Sequence, residues 1–197
     1  RSHIFSPTGL LDDSWWHRSY QTYGNGVEGG YAWFQSLKRV VNGKILCTDE
    51  ENVYGFGRKA RFQKWTVPLE FELFSYTQDA RGNETEPNWS IDIPILVRAM
   101  LVTDDVLIVC GPRDLYDEEA AVAPRSGFTT NDPRLALQQE HWEGKHGSIL
   151  KIFDKNTGNE ISSLEIDDTP AWEGMIIAGG KIFMTTVNGR ILCFDVR

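Results

Sequence analysis

One stretch of this 197-residue chain concentrates the residue types that could do chemistry: LDDSWWHRSYQTYG, from Leu11 to Gly24. A hydrolase triad of Ser14, His17 and Asp13 would need the serine on a sharp strand-to-helix elbow, and no such pattern surrounds it. Arg18 beside Asp12 and Asp13 suits an ion pair that pins a loop. Trp15, Trp16, Tyr20, Tyr23, Tyr31, Trp33 and Phe34 surround a glycine-rich turn, GNGVEGG. Large aromatics with a polar tip form sugar or quinone platforms when they share an exposed concavity, and core filler when they do not. The ligand-binding candidates are Asp13, Trp16, His17, Arg18, Tyr20 and Trp33, set against a packing role for the same loop. No residue is assigned a catalytic role.

Metal chemistry finds weaker material. HWEGKH, from His141 to His146, holds two imidazoles and Glu143, but it is not the HExxH zinc motif and reads as a solvated loop. Asp154, Asn156 and Asn159 in DKNTGNE lack the central glycine and terminal glutamate of a calcium loop and suit a hairpin turn. The acidic pairs Asp104-Asp105 and Asp167-Asp168 fall at turns in the same way. Cys47, Cys110 and Cys193 lie far apart, so no CxxC pair can be drawn, and each sits in an apolar stretch where a buried thiol acts as a small hydrophobe. No metal and no cofactor is expected. Asn83-Glu84-Thr85 and Asn88-Trp89-Ser90 are formal glycosylation sequons.

Composition excludes one class of partner. A formal net charge of −8 argues against a phosphate-tracking surface, so no nucleic acid is expected. With 41% hydrophobic and 12% aromatic residues the chain can bury a substantial core. No apolar run reaches transmembrane length and no signal peptide is evident. An opening on Arg1 rather than Met leads to the expectation of a processed product or a piece of something longer.

The elements that must position these residues repeat along the chain. KRVVNGKILCTDEENVYGFGRK, Lys38 to Lys59, reads as two short strands joined at an Asn42-Gly43 hairpin turn. GMIIAGGKIFMTTVNGRILCFDVR, Gly174 to Arg197, repeats the unit with turns at Gly179-Gly180 and Asn188-Gly189. A third copy is split: AMLVTDDVLIVCG, Ala99 to Gly111, supplies its first hairpin and GSILKIFDKNTGNEISSLEI, Gly147 to Ile166, its remaining strands. Residues 111–146 between them form an insertion, with a short helix expected around Asp132 to Trp142. Four-stranded units of about 40–45 residues are the currency of β-propellers. The expected fold is all-β: one domain over 1–197, a partial propeller of roughly three to four blades of four antiparallel strands. Such an open array leaves sheet edges for something to cover: further blades of the same polypeptide, a closure strand donated from one terminus to the other, a protein partner or a second copy of the chain.

GSILKIFDKNTGNEISSLEI resembles the blade signature of the PQQ-like (quinoprotein alcohol dehydrogenase-like) propeller repeat, in which a Gly opens a strand, an Asp ends it and a T-G turn leads onward. NGRILCFD, Asn188 to Asp195, repeats that pattern. FSPTGLLDDSWWHRSYQTYG, IPILVRAMLVTDDVLIVCGP and TPAWEGMIIAGGKIFMTTVNGRILCF are similar to the C-terminal part of large secreted bacterial propeller proteins. The resemblance implies a non-catalytic binding or scaffolding module in the periplasm, the wider cell envelope or outside the cell. The quinone-dependent members hold their cofactor between a Trp and a vicinal disulfide with a calcium ion, and this chain has no adjacent cysteines. The alternative is an enzyme that uses the propeller funnel for a quinone or a carbohydrate, lined by the LDDSWWHR loop and Trp33.

Overall fold

The computed structural model describes residues 2–6, 21–24, 41–58, 71–80, 85–117 and 132–195. Strands dominate, in four separate antiparallel sheets of three or four strands. The chain divides into two compact units, the first mainly residues 1–93 and the second made of 94–116, 129–155 and 159–197.

In the first unit, β1 (His3–Phe5), β2 (Gln21–Gly24) and β3 (Val41–Gly43) form a three-stranded sheet. β4 (Ile45–Thr48), β5 (Asn52–Arg58), β6 (Phe71–Thr77) and β7 (Trp89–Ile91) form a four-stranded meander. Asn42-Gly43 is therefore not the hairpin turn that the sequence suggests. Asn42 pairs with Thr22 and Gly43 with Gln21 inside β3, and the chain passes from one sheet to the next at Lys44. Side chains fix that register: the Thr22 hydroxyl donates to Asn42 Oδ1 at 2.9 Å, and the Leu46 amide donates to Gln21 Oε1 at 2.6 Å. Tyr23, Val41, Leu46, Val53 and Phe74 pack into one core between these sheets. Asp49 closes the β4–β5 turn, where Oδ1 accepts from the Glu51 and Asn52 amides and Oδ2 accepts from the Tyr54 hydroxyl. Burial first, and Asp49 second, push the Tyr54 phenol upward.

In the second unit, β8 (Ala99–Val102), β9 (Val106–Gly111), β10 (Ser148–Asp154) and β11 (Glu160–Ile166) form one four-stranded sheet, so the two halves of the split repeat do pair. Residues 94–98 extend the β8–β9 pairing outward: the Leu96 amide donates to Pro112 O and the Arg98 amide to Cys110 O, each at 2.9 Å. That approach is tight. A Cβ on Gly111 would lie 1.9 Å from Leu96 O, a backbone atom that cannot step aside. β12 (Pro170–Ala178), β13 (Lys181–Thr186) and β14 (Ile191–Asp195) form a three-stranded sheet with its turns at Gly179-Gly180 and around Asn188-Gly189, where sequence places them. The two sheets share a core of Ala99, Leu101, Ile108, Cys110 and Leu150 from one side with Met175, Ile182 and Met184 from the other. The Glu173 amide donates to Arg98 O at 2.8 Å and ties β12 to the β8 end of its neighbour.

Helix α1 (Pro133–Trp142) appears where expected. Asp132 caps it, accepting from the Arg134 amide at 2.9 Å, and Pro133 presets the first turn. It stops at Gly144, whose positive φ of 86° lets its amide reach back to His141 O.

The cysteines are all free, but they are not alike. Cys110 is buried and Cys47 half-buried, and burial pushes both thiols up to about 12. Cys193 is exposed, against the sequence expectation, because it lies on the face of β14 opposite to Leu192 and Phe194, which pack on the core. The native chain should therefore show one fast-reacting thiol towards a disulfide reagent at neutral pH, mapped to Cys193 by mass spectrometry, with Cys47 and Cys110 reacting only on unfolding. Equal rates for all three would contradict this packing.

Candidate functional site

The sequence-derived site residues Asp13, Trp16, His17, Arg18, Tyr20 and Trp33 lie outside the described residues. Two other features of the second unit are candidates.

The first is the end of α1. His141 and Trp142 are buried there, so HWEGKH is a helix terminus and turn rather than the solvated loop that its sequence suggests. Arg98, buried in the approach to β8, lies over the Trp142 ring with its guanidinium carbon 4.4 Å from the centroid, and Nη1 donates to Trp142 O at 2.8 Å. Trp172 of β12 packs against Trp142 at 6.3 Å between ring centroids. Buried Gln138 joins the helix to the strand extension, donating from Nε2 to Arg113 O and accepting at Oε1 from the Leu115 amide. A cation sandwiched against an aromatic face and a helix-end carbonyl is a strong anchor. The sequence signal was available: Arg98 is the lone charge in the apolar run IPILVRAMLV.

His141 and His146 stack at 4.4 Å between ring centroids, and His146 Nε2 lies 3.1 Å from Glu140 Oε2. His141 Nδ1 is buried with no hydrogen-bond partner. Among the described residues no group of three or more His, Cys, Asp or Glu could hold a metal ion. What His141 can do is titrate. Burial, then His146 and Arg113, hold the His141 imidazole below its usual 6.5, while Glu140 pulls weakly the other way.

The second feature is the outward face of the three-stranded sheet. Register places Ile176 opposite Phe183 and Phe183 opposite Cys193, so these three form one cross-strand row, with Ile191 opposite Thr185 beside it. Ile176 is 62% exposed and Ile191 71%. The inward face, with Met175, Ile182 and Met184, is the core already described. A half-buried strand alternates apolar and polar, whereas MII, IFM and ILCF run apolar on both faces, as strands covered on both sides do. That unbroken run is the sequence signal of apolar side chains on the outward face, and reading it only as a strand missed it.

The sequon at Asn88 sits at the start of β7, where Nδ2 donates to Asn52 Oδ1 at 3.0 Å and to Ser75 Oγ at 3.2 Å. Asn83 lies outside the described residues. No helix among the described residues is long and apolar enough to cross a membrane. Compared with protein-family models and with curated proteins, the chain matches none.

The His141 environment sets a pH dependence. Its folded-state pKa lies below the unfolded value, so the unfolded chain binds the proton first as pH falls. Stability should therefore drop as pH falls through 6.5 and level off once the lower folded-state value is passed. Urea midpoints across that range should fall for the native chain and fall less for His141→Phe, which keeps a ring against His146 without the titration. Identical slopes would contradict the assignment.

Proposed function

We propose that this chain is a non-catalytic binding or scaffolding module, built of successive β-propeller blades and working in the cell envelope or outside the cell. One observation carries the reading: the outward face of the sheet β12–β14 presents Ile176, Phe183 and Ile191 together, and Ile176 and Ile191 are largely exposed. Contiguous exposed apolar side chains on a folded domain mark interaction surfaces. Four separate sheets of three or four antiparallel strands, stacked in pairs about shared cores, suit blades, and the repeat signatures in GSILKIFDKNTGNEISSLEI and NGRILCFD point the same way. A further blade or a partner protein laid on Ile176, Phe183 and Ile191 would complete the stack. The enzyme alternative, with a quinone or carbohydrate in the funnel, relies on Trp16, His17, Arg18 and Trp33, and no described residue adds to it.

Replacing Ile176 and Ile191 together by Lys should leave the unfolding midpoint within about 0.5 kcal/mol of the native chain per site, as for surface positions. The same double variant should abolish the concentration-dependent association that an uncovered apolar face produces in sedimentation. A loss of several kcal/mol, of core-truncation size, would show the face to be internal and defeat the reading. Adding PQQ with calcium should leave the melting temperature unchanged. A site filled at 100 times its dissociation constant adds about 2.7 kcal/mol, so a saturable rise would favour the enzyme instead.

A further inference from the structure

One short sequence occurs twice in almost the same form, as VNGK from Val41 to Lys44 and as VNGR from Val187 to Arg190. Asparagine before glycine is open to a spontaneous reaction in which the glycine nitrogen attacks the asparagine Cγ, because glycine brings no side chain to crowd the ring that forms. With matching neighbours on both sides, the two asparagines share one intrinsic reactivity. Only the fold can separate them.

Asn42 is held shut. It lies inside β3 opposite Thr22, whose hydroxyl donates to Asn42 Oδ1 at 2.9 Å. Gly43 is buried and tightly packed: a Cβ there would lie 2.7 Å from Leu46 Cδ2 and 2.9 Å from Ile45 O. Folding the Asn42 side chain back onto its own backbone would break the Thr22 bond and part β3 from β2.

Asn188 is placed in the opposite way, exposed at the tip of the β13–β14 hairpin. Gly189 has a φ of 75°, and a Cβ on it would meet no described atom within 4 Å. The anchors stand on either side of the pair. The Val187 amide donates to Thr169 O at 3.0 Å, and Arg190 Nε donates to Asp168 Oδ1 at 3.0 Å. The attacking nitrogen itself is engaged, since the Gly189 amide donates to Thr186 O at 3.0 Å. That bond closes an exposed turn, where local opening costs little beside the unpairing of a buried strand.

We infer that Asn188 is a site of spontaneous covalent modification, which the fold leaves open to succinimide formation while it withholds Asn42. Gly189 N forms a bond to Asn188 Cγ, the bond from Cγ to Nδ2 breaks, and Nδ2 leaves as ammonia with the amide proton of Gly189. Water then opens the five-membered imide at either carbonyl, leaving aspartate or isoaspartate. Either product adds a negative charge to the turn whose Arg190 is paired with Asp168. Isoaspartate also lengthens by one carbon the backbone between Thr186 and Arg190, whose amide and carbonyl bond to each other at 3.0 Å.

The test is to age the full chain at mildly alkaline pH and map it with trypsin at mildly acidic pH, labelling isoaspartate with an isoaspartyl methyltransferase. Trypsin puts the two sites in separate peptides, residues 40–44 and 182–190. In the native chain the second peptide should gain acid at least about tenfold faster than the first. In concentrated urea the two rates should converge, because the shared sequence then governs both. The native rate at Asn188 should rise with pH, since the attacking nitrogen must shed its proton. Asn188→Gln, whose longer side chain would have to close a six-membered ring, should silence the 182–190 peptide and keep the unfolding midpoint, as surface substitutions do. Equal native rates, or faster conversion at Asn42, would overturn the inference. So would a 182–190 peptide that stays unmodified in the native chain while the unfolded chain converts, or a gap between the sites that persists in urea.

Discussion

Face-to-face packing of two short sheets around Ile108, Cys110, Leu150, Ile182 and Met184 is the constraint on which the second unit depends. A three- or four-stranded sheet alone cannot remove enough apolar area from water to offset the entropy of ordering its chain. Paired, the two sheets bury Ile108, Cys110 and Met184 completely, and a buried aliphatic side chain contributes about 1.5–3 kcal/mol. The first unit applies the same solution with Leu46, Val53 and Phe74. Several polar groups among the described residues are arranged so as not to spoil that burial. Asp49 satisfies two turn amides and the Tyr54 hydroxyl, and Thr169, fully buried, accepts from Ser148 and donates to Gly147 O.

Pairing sheets of unequal width has a consequence at the rim. Burial is complete where β8, β9 and β13 meet and fades outward through Leu192 and Phe194, which are only partly covered. Cores that end this way expose both apolar side chains and main-chain groups, the combination that invites another strand. At the opposite rim the protein closes the gap itself. Arg98 joins the carbonyl and ring of Trp142, and Trp172 packs against that ring. Among the described residues, then, one rim is an anchored joint and the other a strand paired on one side.

Much of the fold was legible because its signals are local and repeated. The split repeat is recognisable from AMLV and VLIVCG on one side of the insertion and SILKIFD on the other, each with its turn residues in place. Asp132-Pro133 and Gly144 punctuate α1 by capping chemistry that needs no tertiary context. Asn42-Gly43 misled because its hairpin signal is overruled from a distance by Thr22 and Gln21, which no short-range pattern can show. Cys193 misled differently. It sits in an apolar strand, and which face of a strand is covered depends on what its neighbours bring. The aromatic loop from Leu11 to Tyr20 lies outside the described residues, so its reading stays as the sequence states it.

Methyl and amide nuclear Overhauser effects on the full chain test the paired-sheet arrangement most directly. The account predicts contacts from the methyl groups of Met175, Ile182 and Met184 to those of Leu101, Ile108 and Leu150, across the gap between two sheets. It also predicts no cross-strand amide contacts between β11 and β12, which belong to different sheets. A ladder of amide contacts joining β11 to β12, with those methyl contacts missing, would mean one continuous sheet and would contradict the account.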